Sequence, residues 1–242
     1  DDTEMDEPVS VPMPDGQPNG EPQNYDGRFT NAPMTLREAL RKSVNSVAVR
    51  VGLKVGPEAV RAEAVKFGIT TQVQAVPSVV LGSASVRPLE LIAAYSTFAN
   101  LGSRVDPNPI LRVEDKSGRI LWKPEPRRHT VLDGTTAWTM TTELRGVVTS
   151  GTGNSAVYRA GFTLPSGGKT GTTNDFNDVW YIGFTRDIVA GVWIGFDRPT
   201  KIMSGAQGGK LAAPAWTQMM LEVYQRRKAP GDWSEPAQTA VP

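Results

Sequence analysis

Apolar residues recur at helical spacing in the stretch after residue 35, where Leu36, Leu40, Val44, Val47 and Val51 fall on one face. Thr35, followed three residues later by Glu38, forms the reciprocal capping pattern that starts a helix there. The β-branched run from Val44 to Val51 restricts side-chain rotamers against the preceding turn, so a break near Ser43 is predicted. Pro57 pre-sets the first turn of a second helix, Glu58 to Phe67, which Gly68 can stop. Pro88 opens a third, Leu89 to Asn100, ended by Gly102. Leu111 to Trp122 alternates around Asp115-Lys116-Ser117-Gly118 as a hairpin, and Asp133 can cap a fourth helix running to about Val148.

The strongest strand signal comes later. Val179 to Thr185 and Ile188 to Phe196 are rich in aromatic and β-branched residues and flank Arg186-Asp187, which predicts a tight hairpin. Their apolar runs are nearly continuous, so both faces should be covered. Pro214 is expected to open a final helix through Met219, Val223 and Tyr224. Helices set against an antiparallel sheet give an α+β fold.

The two ends read differently. Residues 1–22 hold seven acids, five prolines and no Lys or Arg, a composition expected to bury no apolar surface and to form an extended or mobile arm. The start, Asp1-Asp2-Thr3, has the look of an internal cut. Residues 229–242 hold three prolines and few apolar groups and read as a flexible tail. The body is residues 23–228.

Composition narrows the chemistry. With 242 residues and 39% hydrophobic content, the chain can bury a sizeable core. A net charge of +1 argues against a dedicated nucleic-acid binder, and no apolar run approaches the length of a membrane span. The absence of cysteine excludes thiol catalysis, disulfides and thiolate metal sites. His129 is the only histidine, so any Ser-His-Asp triad or His metal ligand would run through it; its polar surroundings favour a solvated loop. Hydroxyls, lysine, carboxylates and backbone amides are left to do any catalysis.

Lys169-Thr170-Gly171-Thr172-Thr173 lies just before the predicted hairpin. As the end of a phosphate-binding loop it fails twice: Thr163 stands where the first glycine belongs, and no helix start follows. A Lys-Thr-Gly triplet is expected roughly 0.05 times by chance in a chain of this length. It is also the triplet of the penicillin-recognising serine acyltransferases, where ammonium and hydroxyl bind a carboxylate and the amide after the glycine serves an oxyanion. A solvated turn before a strand is the plainer reading of the same residues. Ser43-Val44-Asn45 is uninformative alone, but it lies 126 residues earlier, at the predicted helix break. There a hydroxyl and an amide could relay a proton or hold a substrate carbonyl.

Around these triplets the sequence resembles the transpeptidase domain of class A, bifunctional penicillin-binding proteins. The resemblance is carried by Pro22-Gln23-Asn24-Tyr25-Asp26, Thr35 to Leu40, Ser43-Val44-Asn45 and Leu81-Gly82-Ser83 with Pro88 to Leu91. It continues through Ala94-Tyr95, Phe98-Ala99-Asn100, Ser150-Gly151-Thr152-Gly153, Gly168 to Asp175 and Val192 to Asp197, in consistent order over about residues 22–225. It implies a partial penicillin-binding protein/serine β-lactamase-like fold and a D,D-transpeptidase that cross-links stem peptides ending in D-Ala-D-Ala and is acylated by β-lactams. It also implies action outside the cytoplasmic membrane, on its periplasmic or extracellular face, with no metal or organic cofactor.

By the same resemblance Ser43 would relay a proton and Asn45 would hold the substrate amide. Lys169 and Thr170 would bind the carboxylate, and Thr172 would give its backbone amide to the oxyanion. Gly171 and Thr173 complete the strand expected to pair with the substrate backbone. The family's Ser-x-x-Lys nucleophile motif is not found upstream. The only Ser-x-x-Lys is Ser166-Gly167-Gly168-Lys169, whose two glycines oppose the rigid helix such a pair needs. Ser166 is therefore read as a decoy. A companion N-terminal segment is expected to carry the nucleophile, its lysine, the glycosyltransferase and the membrane anchor. A D,D-carboxypeptidase or β-lactamase on the same scaffold, and a non-catalytic β-lactam sensor or assembly module, stay open.

Overall fold

The fold is that of a computed structural model describing residues 2–11 and 19–237. Its centre is a three-stranded antiparallel sheet of β7 (Gly167–Thr172), β8 (Val179–Phe184) and β9 (Val189–Ile194), in that order. Lys169 stands opposite Ile182 and Thr172 opposite Val179. Because side chains alternate along a strand, Tyr181 and Gly183 face one side of β8 while Ile182 and Phe184 face the other. The first side is covered by helix α7 (Gly208–Gln225), whose Trp216 packs edge-on against Tyr181 and Phe162. On the second side, Phe184 meets Tyr95, Phe98 and Trp233.

The local signals of the first half are met closely. Helix α1 (Leu36–Lys42) starts at Thr35, whose hydroxyl accepts from the Glu38 N–H at 3.2 Å. It ends at Ser43 and is followed by α2 (Asn45–Val55) and α3 (Pro57–Lys66). A 3₁₀ helix, Pro77–Leu81, leads towards α4 (Pro88–Ala94) and α5 (Ser96–Ala99). The predicted third helix is thus interrupted at Tyr95. Helix α6 (Gly134–Ser150) is capped by the Asp133 carboxylate, which accepts from the Thr136 N–H at 2.9 Å. Short strands β4 (Val113–Glu114) and β5 (Ile120–Trp122) form the predicted hairpin, and β3 (Ser103–Val105) pairs with β6 (Arg128–Thr130).

Several expectations are corrected. Residues 2–11 do bury apolar surface: β1 (Thr3–Met5) pairs with β2 (Pro33–Thr35), and Val9 and Val11 pack with Val49 of α2. Asp6 anchors this segment from inside, accepting from the Ser46 hydroxyl at 2.6 Å, the Asn24 amide at 2.7 Å and the Thr30 N–H at 2.9 Å. These donors hold its carboxyl below the ordinary range although burial pushes the other way. Residues 12–18 of the expected arm lie outside the described residues.

The expected flexible tail is likewise fixed as far as it is described. Trp233 is buried on Phe184 and Ala99, and its indole N–H donates to the Ala99 carbonyl at 2.8 Å; residues 238–242 lie outside the described residues. The final helix begins at Gly208 and carries Pro214 inside it, since packing on the sheet sets its start rather than the proline. Finally, β9 is only partly covered rather than buried on both faces, with Trp193 exposed beside Trp180.

Candidate functional site

The first helix break places Ser43. Its N–H returns to the Leu40 carbonyl and the Val44 N–H to that of Ala39, closing a Schellman turn around Ser43 at φ 57° and ψ 50°. A side chain in this left-handed region costs about 1–2 kcal/mol, and glycine normally sits there. Here a hydroxyl is held out from the chain reversal, and Asn45 follows as the first residue of α2.

Strand β7 places Lys169. Its ammonium donates to Ser43 Oγ at 2.7 Å and to the Thr170 carbonyl at 2.9 Å, joining two residues 126 positions apart. An ammonium carries three N–H donors, so one is left over. Burial lowers the Lys169 pKa from the ordinary 10.5 to about 8, with no carboxylate acting in the opposite direction. The result is a desolvated positive charge held by neutral oxygens, a setting that favours an incoming anion.

The edge of β7 provides the backbone groups. The Thr173 N–H bonds back to the Asp178 carbonyl at 3.0 Å, at the turn between β7 and β8. Pairing alternates along an antiparallel ladder, so the N–H and C=O groups of Thr172 and Thr170 point away from β8. No described strand pairs with that edge. The Thr172 side chain has a separate task, its Oγ1 accepting from the Gly208 N–H at 3.1 Å. This contact needs glycine, since a Cβ at position 208 would lie 2.2 Å from the Trp180 carbonyl oxygen. Gly171 is also close-packed, with its would-be Cβ 3.2 Å from that of Trp180. Thr173 Oγ1 accepts from the Asn177 and Asp178 N–H groups and shapes the turn.

The remaining sequence candidates fall elsewhere. The Asn45 amide donates to the Gln23 carbonyl at 2.8 Å, so its N–H is engaged by the chain itself. Ser166 is buried at the approach to β7, and its hydroxyl has no protein partner. Ser166 and Lys169 make no hydrogen bond to each other, since the Lys169 ammonium turns to Ser43 and the Thr170 carbonyl instead. His129 sits in β6 against Asp106, at 2.9 Å. Among the described residues, no cluster of metal-ligating side chains occurs and no helix is long and apolar enough to cross a membrane. One residue of this site is not among the sequence candidates: Thr152, whose hydroxyl lies 2.8 Å from that of Thr170. Its signal was present in the two glycines flanking it.

An edge strand bearing Lys-Thr-Gly and facing a Ser-x-Asn helix junction defines the class of penicillin-recognising acyltransferase folds. The penicillin binding protein transpeptidase domain family matches residues 10–221, and the chain belongs to that family. It is 33% identical over 243 residues to penicillin-binding protein 1A of Rickettsia bellii, covering 91% of this chain and 30% of the relative. Penicillin-binding protein 2D of Bacillus subtilis is 36% identical over 206 residues, covering 82% of this chain and 29% of the relative. The chain thus spans about a third of the length of these curated relatives. Among solved structures, penicillin-binding protein 1A from Haemophilus influenzae matches at a TM-score of 0.87 and 26% identity, over 97% of this chain and 40% of that one. The PonA1 protein from Mycobacterium tuberculosis, solved in complex with penicillin V, matches at 0.76 and 25% identity, over 99% of this chain and 66% of that one.

Proposed function

We propose that this chain is the carboxylate-binding and oxyanion-binding part of a D,D-transpeptidase. A serine on a companion N-terminal segment is the nucleophile. Its oxygen attacks the penultimate D-Ala carbonyl, the C–N bond to the terminal D-Ala breaks, and that residue leaves as its amine after taking a proton. An amine of a neighbouring stem peptide then attacks the acyl-serine ester, forming the cross-link and returning the serine hydroxyl.

Lys169 and Thr170 hold the terminal carboxylate, the Thr172 N–H faces the oxyanion, and Ser43 passes a proton to the leaving amine. Asn45 meets the substrate amide by exchanging its bond to Gln23. The substrate backbone lies along the open edge of β7, as an added strand. The observation that carries this reading is the hydrogen bond from the uncompensated Lys169 ammonium to Ser43. In this organisation residues 23–228 form the C-terminal part of the transpeptidase domain. A membrane anchor and a glycosyltransferase belong to the companion segment, and the work is done on the outer face of the cytoplasmic membrane.

The test is labelling with a fluorescent penicillin, which acylates the same serine. The chain alone should form no adduct, and with the companion present the label should fall on the companion. Lys169→Ala should slow that acylation roughly 10- to 150-fold, the loss of a charge-assisted hydrogen bond. A penicilloyl adduct on Ser166, or an unchanged rate for Lys169→Ala, refutes the assignment.

A further inference from the structure

The turn after α6 touches both halves of the site. The Thr152 N–H donates to the Arg41 carbonyl at 3.1 Å, two residues before Ser43. Its hydroxyl meets that of Thr170 at 2.8 Å, one residue after Lys169. The turn itself is tightly set: a Cβ on Gly151 would lie 2.5 Å from the Arg41 carbonyl oxygen. A Cβ on Gly209, in the first turn of α7, would lie 2.8 Å from the Thr152 carbonyl oxygen. Backbone contacts on both sides therefore fix the Thr152 backbone, from which its hydroxyl reaches Thr170.

A threonine hydroxyl on an open strand edge can occupy several staggered positions, and only one of them aims its O–H at a given ligand atom. Thr170 has one such partner in Thr152. A hydroxyl can accept one bond while donating another. If Thr152 donates, the Thr170 proton is free to point at the anion beside Lys169.

We propose that Thr152 is a positioning residue for carboxylate recognition, orienting the Thr170 hydroxyl for the carboxylate that Lys169 also binds. It rests on the assignment of Lys169 and Thr170 as the carboxylate-binding pair. Thr152 is exposed and its backbone bond to Arg41 does not involve the side chain, so Thr152→Val keeps volume and shape while deleting the hydroxyl.

The experiment compares acylation by a penicillin with acylation by its methyl ester, using the chain together with its nucleophile-bearing segment. Thr152→Val should lower the rate with the free carboxylate by about 2- to 13-fold, the worth of one neutral hydrogen bond, and leave the ester rate unchanged. Thr152→Ser should restore the carboxylate rate. Thr170→Val should give a similar loss, and the double variant should lose little more than either alone, since the two act as one unit. Equal losses for acid and ester would indicate a merely structural effect and overturn the proposal. If Lys169→Ala removes the preference for the acid while Thr152→Val keeps it, the proposal fails and the carboxylate assignment stands. If Lys169→Ala leaves the preference intact, it is the carboxylate assignment that fails.

Discussion

Replacing Lys169 by methionine isolates the electrostatic cost of the site. The ammonium is desolvated in the folded chain and solvated in the unfolded one, so its pKa falls from 10.5 to about 8 on folding. Below pH 8 both states carry the proton and the folded state bears the full penalty. Between pH 8 and 10.5 the folded chain has released the proton while the unfolded chain keeps it. Stability therefore rises with pH across this window, because the unfolded state binds more protons. At about 1.4 kcal/mol per pKa unit, the rise attributable to Lys169 is about 3 kcal/mol. The assay is denaturant unfolding from pH 7 to 10.5 for both proteins, followed by tryptophan fluorescence. Subtracting the variant's stability at each pH removes the titration of groups common to both. Tyr95, raised from 10 to about 12 by burial, begins to lower stability near the top of the window as the unfolded chain ionises, and it cancels in the difference because both proteins carry it. Losing the bonds to Ser43 and Thr170 adds an offset that does not vary with pH. A difference curve that climbs by about 3 kcal/mol between pH 8 and 10.5 supports the argument. A flat curve would show that Lys169 titrates as a solvated lysine, and the picture of a desolvated anion-binding charge would be wrong.

Thr172→Pro should cut β-lactam acylation by about 10²–10³ through loss of one oxyanion donor, while Thr172→Ser stays near the original rate, with thermal melting as the check on folding. Thr172→Ala should keep the rate but cost about 1–3 kcal/mol of stability, since the Gly208 N–H loses its acceptor. Asp6→Ala should cost on the order of 3 kcal/mol at neutral pH by stranding the Ser46, Asn24 and Thr30 donors. The Asp6 pKa is depressed, so its contribution is present above the ordinary carboxyl range and lost as pH falls through it; acid titration of the variant should lack that loss. Trp233→Ala should cost about 3–5 kcal/mol in denaturant unfolding, whereas a truly flexible tail would show no change.

What the sequence determined alone is what is decided within a few residues. Thr35 and Asp133 cap their helices because the groups they satisfy lie in the next turn, and Pro57 opens its helix by its own ring. The β8–β9 hairpin follows from two β-rich runs about a tight turn. The break at Ser43 was legible for the same reason, and so were the candidate triplets, as residue types in order. Their meeting was not legible. The bond from Lys169 to Ser43 spans 126 positions and exists because α1 and β7 are packed against α6. The lowered Lys169 pKa is a consequence of that packing, since burial is a property of neighbours and not of a triplet. Composition misjudged both ends of the chain for a related reason. It put Asp6 in an extended or mobile arm and Trp233 in a flexible tail, whereas three convergent donors and an aromatic pocket, all supplied from distant segments, bury them. Pro214 lies inside α7 because the glycine pressed onto β7 and β8 sets where that helix begins. Local sequence fixes the torsions of a turn or a cap; which charges are desolvated, and beside which hydroxyl, is settled only when the elements close on one another.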